Sequence, residues 1–131
     1  MRTSAALPLV FAAAFPAPLL AGSECEAHAE AWVGLVEGLK AQTGYDTVDA
    51  FMADKAGRWS LVAATYAYAA EEIEAGNREV GPMLIQSDAL LDCFKGDRAS
   101  ATPDIKAYMD DFGQVFPKTR RAKLMKLAGQ E

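Results

Sequence analysis

The sequence predicts an all-α protein, a small bundle of five or six short helices closed by one disulfide. Three observations lead there. Apolar residues recur three and four positions apart along most of the chain, and no alternating stretch is long enough for a strand. Glycine, proline and small polar residues punctuate those stretches at helix-like intervals. Two cysteines, Cys25 and Cys93, form the only possible intramolecular pair, and 131 residues fit a single domain.

Residues 1–21 read as a signal peptide. Arg2 supplies the positive start, residues 5–14 carry no charge, Pro16 and Pro18 follow, and small residues stand at positions 21–23. That apolar run is short for a membrane span, and no second run rivals it. Cleavage after Ala21 or after Ser23 fits, with Ala21 favoured because Ser23 can serve as a helix cap. Glu24 precedes Cys25 where a lipidation site needs a small residue. The expected product is residues 22–131, a single helical domain in the periplasm or secreted, with residues 117–131 as a basic C-terminal helix. In that oxidising setting Cys25 and Cys93 are expected to pair.

Ser23 and Glu26 make a capping-box pattern for the first helix. Cys25, Ala29, Trp32, Val36 and Leu39 share one face, Glu26, Glu30, Glu37 and Lys40 are left to solvent, and Gly44 supplies the stop. Asp46 with Asp49 can open a second helix through Val48, Phe51 and Met52, with Gly57 bending or ending it. Residues 58–75 follow, with Trp59, Val62, Tyr66, Ala69 and Ile73 on one face and Gly76-Asn77 as the stop. Residues 47–75 could be one bent helix or two. Tyr68 falls off the stripe and is expected to be exposed.

Gly81-Pro82 opens the next helix, since proline suits a first turn. Met83, Leu84, Leu90, Leu91, Cys93 and Phe94 line it, and Gly96 closes it. Thr102-Pro103-Asp104 starts another, whose Ile105, Tyr108, Met109, Phe112, Val115 and Phe116 give the clearest amphipathic face in the chain. Pro117 ends it. The last helix, residues 118–128, has a thin stripe of Leu124, Leu127 and Ala128.

Charge is unevenly placed. Residues 22–116 hold 17 acidic and seven basic side chains, whereas residues 117–131 hold Lys118, Arg120, Arg121, Lys123 and Lys126 against Glu131. An acidic body argues against nucleic acid as a partner. The basic helix could meet anionic lipid or an acidic protein. Docking on the chain's own acidic body, with cations near a helix C-terminus, is the favoured reading.

Catalytic and metal chemistry find little purchase. Cys25, His28, Asp92 and Cys93 could together ligate a metal only with reduced cysteines, and His28 is the sole histidine. His28 with Glu26 or Glu30 lacks a nucleophile motif, and no Cys-x-x-Cys occurs. Glu71, Glu72 and Glu74, like Asp110 and Asp111, read as solvated helix faces. No cofactor is implied.

The Cys25-Glu26 pair near the expected mature start, Cys93, and the lysine-bearing helix after it resemble the small periplasmic acid-stress chaperones of enteric bacteria. The same pattern is similar to two-cysteine helical proteins that bacteria secrete. The cysteines lie further apart here than in those chaperones, and the apolar faces differ. The expected function is non-enzymatic protein binding, as a chaperone, inhibitor, immunity factor or accessory subunit. Membrane-surface contact through the basic helix is the alternative, and a small metal-binding protein is a third. The protein partner's identity and the oligomeric state stay open.

Overall fold

A computed structural model describes residues 17–38, 45 and 47–130. Positions 1–16 of the expected leader, Leu39, Lys40, Gly44 and Asp46 lie outside the described residues. Among those described there are six α-helices, two 3-10 turns and no strand.

Helix α1 is Ala17–Gly38 and starts upstream of Ser23. Alanine and leucine favour helix strongly, and Pro18 falls in the first turn, where its missing N–H is not needed. Ser23 is therefore interior and, contrary to the expectation from sequence, does not cap this helix. Helix α2, Val48–Ala53, is capped by Thr47, whose Oγ1 accepts from Ala50 N at 3.0 Å. The chain then turns over Asp54, whose carboxylate accepts the Gly57 N–H at 3.0 Å, and α3 begins at once as Arg58–Glu74. Residues 47–75 are thus two helices. Gly76, at φ +100°, makes the reversal that ends α3.

A 3-10 turn at Arg78–Val80 leads into α4, Gly81–Phe94. Gly96 does not sit at the helix end itself. It lies within a second 3-10 turn, Lys95–Ser100, which buries Asp97. Helix α5, Pro103–Val115, is capped by Thr102, and α6, Lys118–Ala128, follows Pro117.

Helix α4 is the centre of the bundle, with α1, α3 and α6 packed around it. Its Leu84, Leu90 and Phe94 are fully enclosed, together with Trp32 of α1 and Val62, Tyr66 and Ile73 of α3. Phe51 of α2 stacks on Trp32 and meets Phe94 edge-on. Helix α5 lies on α3 through a ladder of rings. Trp59 meets Tyr108 and Phe112, and Tyr66 meets Phe112 and Phe116. Val115 departs from the expected stripe and is 48% exposed, because α5 rests on α3 along a narrow arc. Tyr68 is 51% exposed, as its register requires.

Cys25 and Cys93 are joined as a disulfide with Cα atoms 6.0 Å apart, tying the early part of α1 to the end of α4. The two helices run antiparallel. Trp32 Nε1 donates to Ser87 Oγ at 3.1 Å within the buried seam, which satisfies both polar groups.

Candidate interaction surface

The residues that sequence alone could assemble into a metal site do not converge. Both cysteines are oxidised, His28 Nδ1 lies 2.6 Å from Gln86 Oε1, and Asp92 is turned toward Arg121. No group of three metal-ligating side chains occurs among the described residues. The carboxylate clusters disperse in the same way. Glu74 pairs with Arg120, Glu72 accepts from Asn77 Nδ2, and Asp110 forms a two-pronged pair with Arg98, while Glu71 and Asp111 face solvent.

The basic helix α6 divides into two sets of side chains. Arg120 reaches α3, with Nη2 2.7 Å from Glu74 Oε1, and its guanidinium lies over Phe116. Arg121 reaches α4, donating from Nε to Asp88 Oδ1 at 2.9 Å, with Asp92 at 3.5 Å. These arginines and the buried Leu124 and Ala128 clamp the helix to the body. Gly81 brings α4 so close to α6 that an added Cβ would stand 2.6 Å from the Ala128 carbonyl oxygen. Lys118, Lys123 and Lys126 are exposed and make no ion pair among the described residues.

Between α4 and α6 runs an open groove of about 260 Å³ lined by Asp88, Asp92, Lys118, Arg121, Ala122 and Met125. Its electrostatics are set by burial. Asp88 is held above the ordinary aspartate range because burial of its carboxylate outweighs the neighbouring Arg121 charge. The Tyr66 hydroxyl beneath is buried and makes no hydrogen bond among the described residues. Burial first, and the Asp88 charge second, push it up to about 12.

Of the positions singled out from sequence, Cys25 and Cys93 meet as expected, and the five basic residues share one helix but not one role. Sequence reasoning missed Asp88 as the anchor for Arg121. The four-residue spacing of Asp88 and Asp92 was the available signal, since it puts both carboxylates on one face of α4.

The geometry defines a class, a disulfide-closed helical domain with a basic helix clamped on an acidic body. No protein-family model, curated protein or solved structure matches the chain. No described helix is long and apolar enough to cross a membrane.

Proposed function

We propose that this chain is an exported, non-enzymatic protein-binding domain, and that the outward lysines of α6 form its contact face. The observation that carries this reading is the division within α6. Arg120 and Arg121 fasten the helix to α3 and α4, which leaves Lys118, Lys123 and Lys126 displayed on a rigid support. Preorganised charge of that kind favours partner selection and fast encounter. The partner is then a protein with an acidic surface. Export rests on the leader-like residues 1–21 and agrees with the Cys25–Cys93 bond.

The membrane alternative gains less support. The apolar stripe of α6 is spent on the body, with Leu124 and Ala128 buried, so insertion would require undocking the helix.

Capture from the native extracytoplasmic fraction tests the proposal, with the wild-type protein and K118E/K123E/K126E run side by side. A partner held by the wild type and lost by the variant is expected, and equal capture rejects α6 as the contact face. Sedimentation with anionic but not neutral vesicles would instead favour the membrane reading. The mass of the recovered protein reports whether residues 1–21 have been removed.

A further inference from the structure

We propose that the outer face of α1 docks on the outer face of α6 from a second copy of this chain, giving a head-to-tail, salt-sensitive self-association. The inference deepens the protein-binding reading and rests on it, naming the acidic partner as another copy.

The two faces are complementary in charge. Residues 24–37 of α1 carry four glutamates and no lysine or arginine, and α6 carries five cations and no acid. Glu26, Glu30 and Glu37 are exposed without an ion pair among the described residues, as are Lys118, Lys123 and Lys126. At 1.5 Å per residue the glutamates spread over about 16 Å and the lysines over about 12 Å, a difference that lysine side chains can span.

They are also complementary in shape. At 100° per residue, Ala27, Ala31 and Gly34 form the outermost strip of α1, beside the glutamates, and a Cβ at Gly34 would meet nothing within 4 Å. On α6 the outermost strip contains Thr119 and Ala122 between the lysines. Small residues on both sides let the helix backbones approach, so the lysines can reach the glutamates aligned along one edge of the α1 strip.

Within one molecule the faces cannot meet. The α4 residues that hold α1 are Gln86, Ser87 and Cys93, and those that hold α6 are Gly81, Asp88 and Asp92. By helical angle these two sets lie on nearly opposite sides of α4. The outer faces of α1 and α6 therefore point away from each other. A contact between them is heterologous and adds copies without stopping at a two-fold pair. With one helix from each side it belongs among small, polar, weak interfaces.

Sedimentation velocity of the oxidised protein, over a concentration series, is the test. At about 0.01 M salt, where the Debye length is about 30 Å, species larger than a dimer should grow with concentration, and at about 1 M, where it is about 3 Å, they should dissociate. K118E/K123E/K126E and E26K/E30K/E37K should each weaken association at least about tenfold. An equimolar mixture of the two variants restores opposite charge at every contact and should associate again. Far-UV circular dichroism confirms that each variant is folded. A wild type that stays monomeric at low salt, an assembly that stops at a dimer, or a mixture that fails to reassociate overturns the proposal. If the wild type is monomeric yet captures a partner that K118E/K123E/K126E loses, self-association falls and the protein-binding reading stands.

Discussion

Arg58 lies in a two-pronged ion pair with Asp97, Nε 2.6 Å from Oδ2 and Nη2 2.8 Å from Oδ1, in the buried layer between α3 and the 3-10 turn after α4. Its Nη1 donates to the Met52 carbonyl, and the guanidinium rests on the Phe94 ring at 4.1 Å from the centroid. The side chains are only 11% and 8% exposed, so neither charge can be returned to water when the other is removed. Arg58→Ala or Asp97→Ala should therefore each cost about 3–5 kcal/mol in urea unfolding, because one buried charge is left unmatched. Replacing both with apolar residues of similar size should cost much less than either single change. Arg58→Lys should behave as a damaging substitution, since lysine has neither the planar fork nor the flat face.

Gly81 supplies a second prediction. The backbone of α6 passes so near that a methyl group there would press on the Ala128 carbonyl oxygen, which cannot swing aside as a side-chain tip can. Gly81→Ala should destabilise by about 1–3 kcal/mol. Hydrogen exchange should show the loss concentrated in α6. Gly113, inside α5 with open space around it, is the control. Gly113→Ala should stabilise by about 0.5–1 kcal/mol through helix propensity.

The same glycine shows where sequence reading stops. Gly81 was legible as a helix opener, but its need for close approach depends on Ala128, far along the chain. The stripes through Ala29, Trp32 and Val36, and through Trp59, Val62 and Tyr66, were legible because a helix buried on one side repeats every three or four residues. Val115 fits the α5 pattern and is nevertheless exposed, since the width of the buried arc depends on how many helices pack against it. Ser23 fits a capping pattern locally, yet helix continues through it, because the alanines and leucines before it favour helix. The disulfide followed from a count of two. Docking of α6 on the acidic body was legible from the uneven charge, but which cations dock was not, because nothing local distinguishes Arg120 and Arg121, which reach Glu74 and Asp88, from the lysines beside them.

Helix α1 packs on α4 and α2, so the Cys25–Cys93 bond is its covalent tie to the central helix. The bond spans 68 positions, and a loop of that length constrains the unfolded chain by about 4 kcal/mol. Urea unfolding of C25S/C93S should show a loss near that size. Amides of α1 should lose exchange protection before those of α3, whose core contacts with α4 do not depend on the bond. Equal loss across both helices would mean that the bond acts only by constraining the unfolded chain, with no local hold on α1.

The Asp88–Arg121 contact predicts a pH response of unusual sign for a paired carboxylate. Burial raises Asp88 despite the arginine, so the folded protein holds a proton on it at pH values where the unfolded chain has released it. Its contribution to stability is fully present below the ordinary aspartate value and is lost as pH rises through the raised one. Asp110 is the opposite case. Its hydrogen bonds to Arg98 lower it, so its contribution is present above the ordinary value and fades as pH falls through the lowered one. Urea unfolding across the acidic range should separate the two. Asp88→Asn should remove a term that strengthens the fold as pH drops toward the ordinary aspartate value, and Asp110→Asn should remove one that weakens it as pH drops below that value. If Asp88→Asn left the pH dependence unchanged, the carboxylate would have to be far better solvated than its place under Arg121 allows.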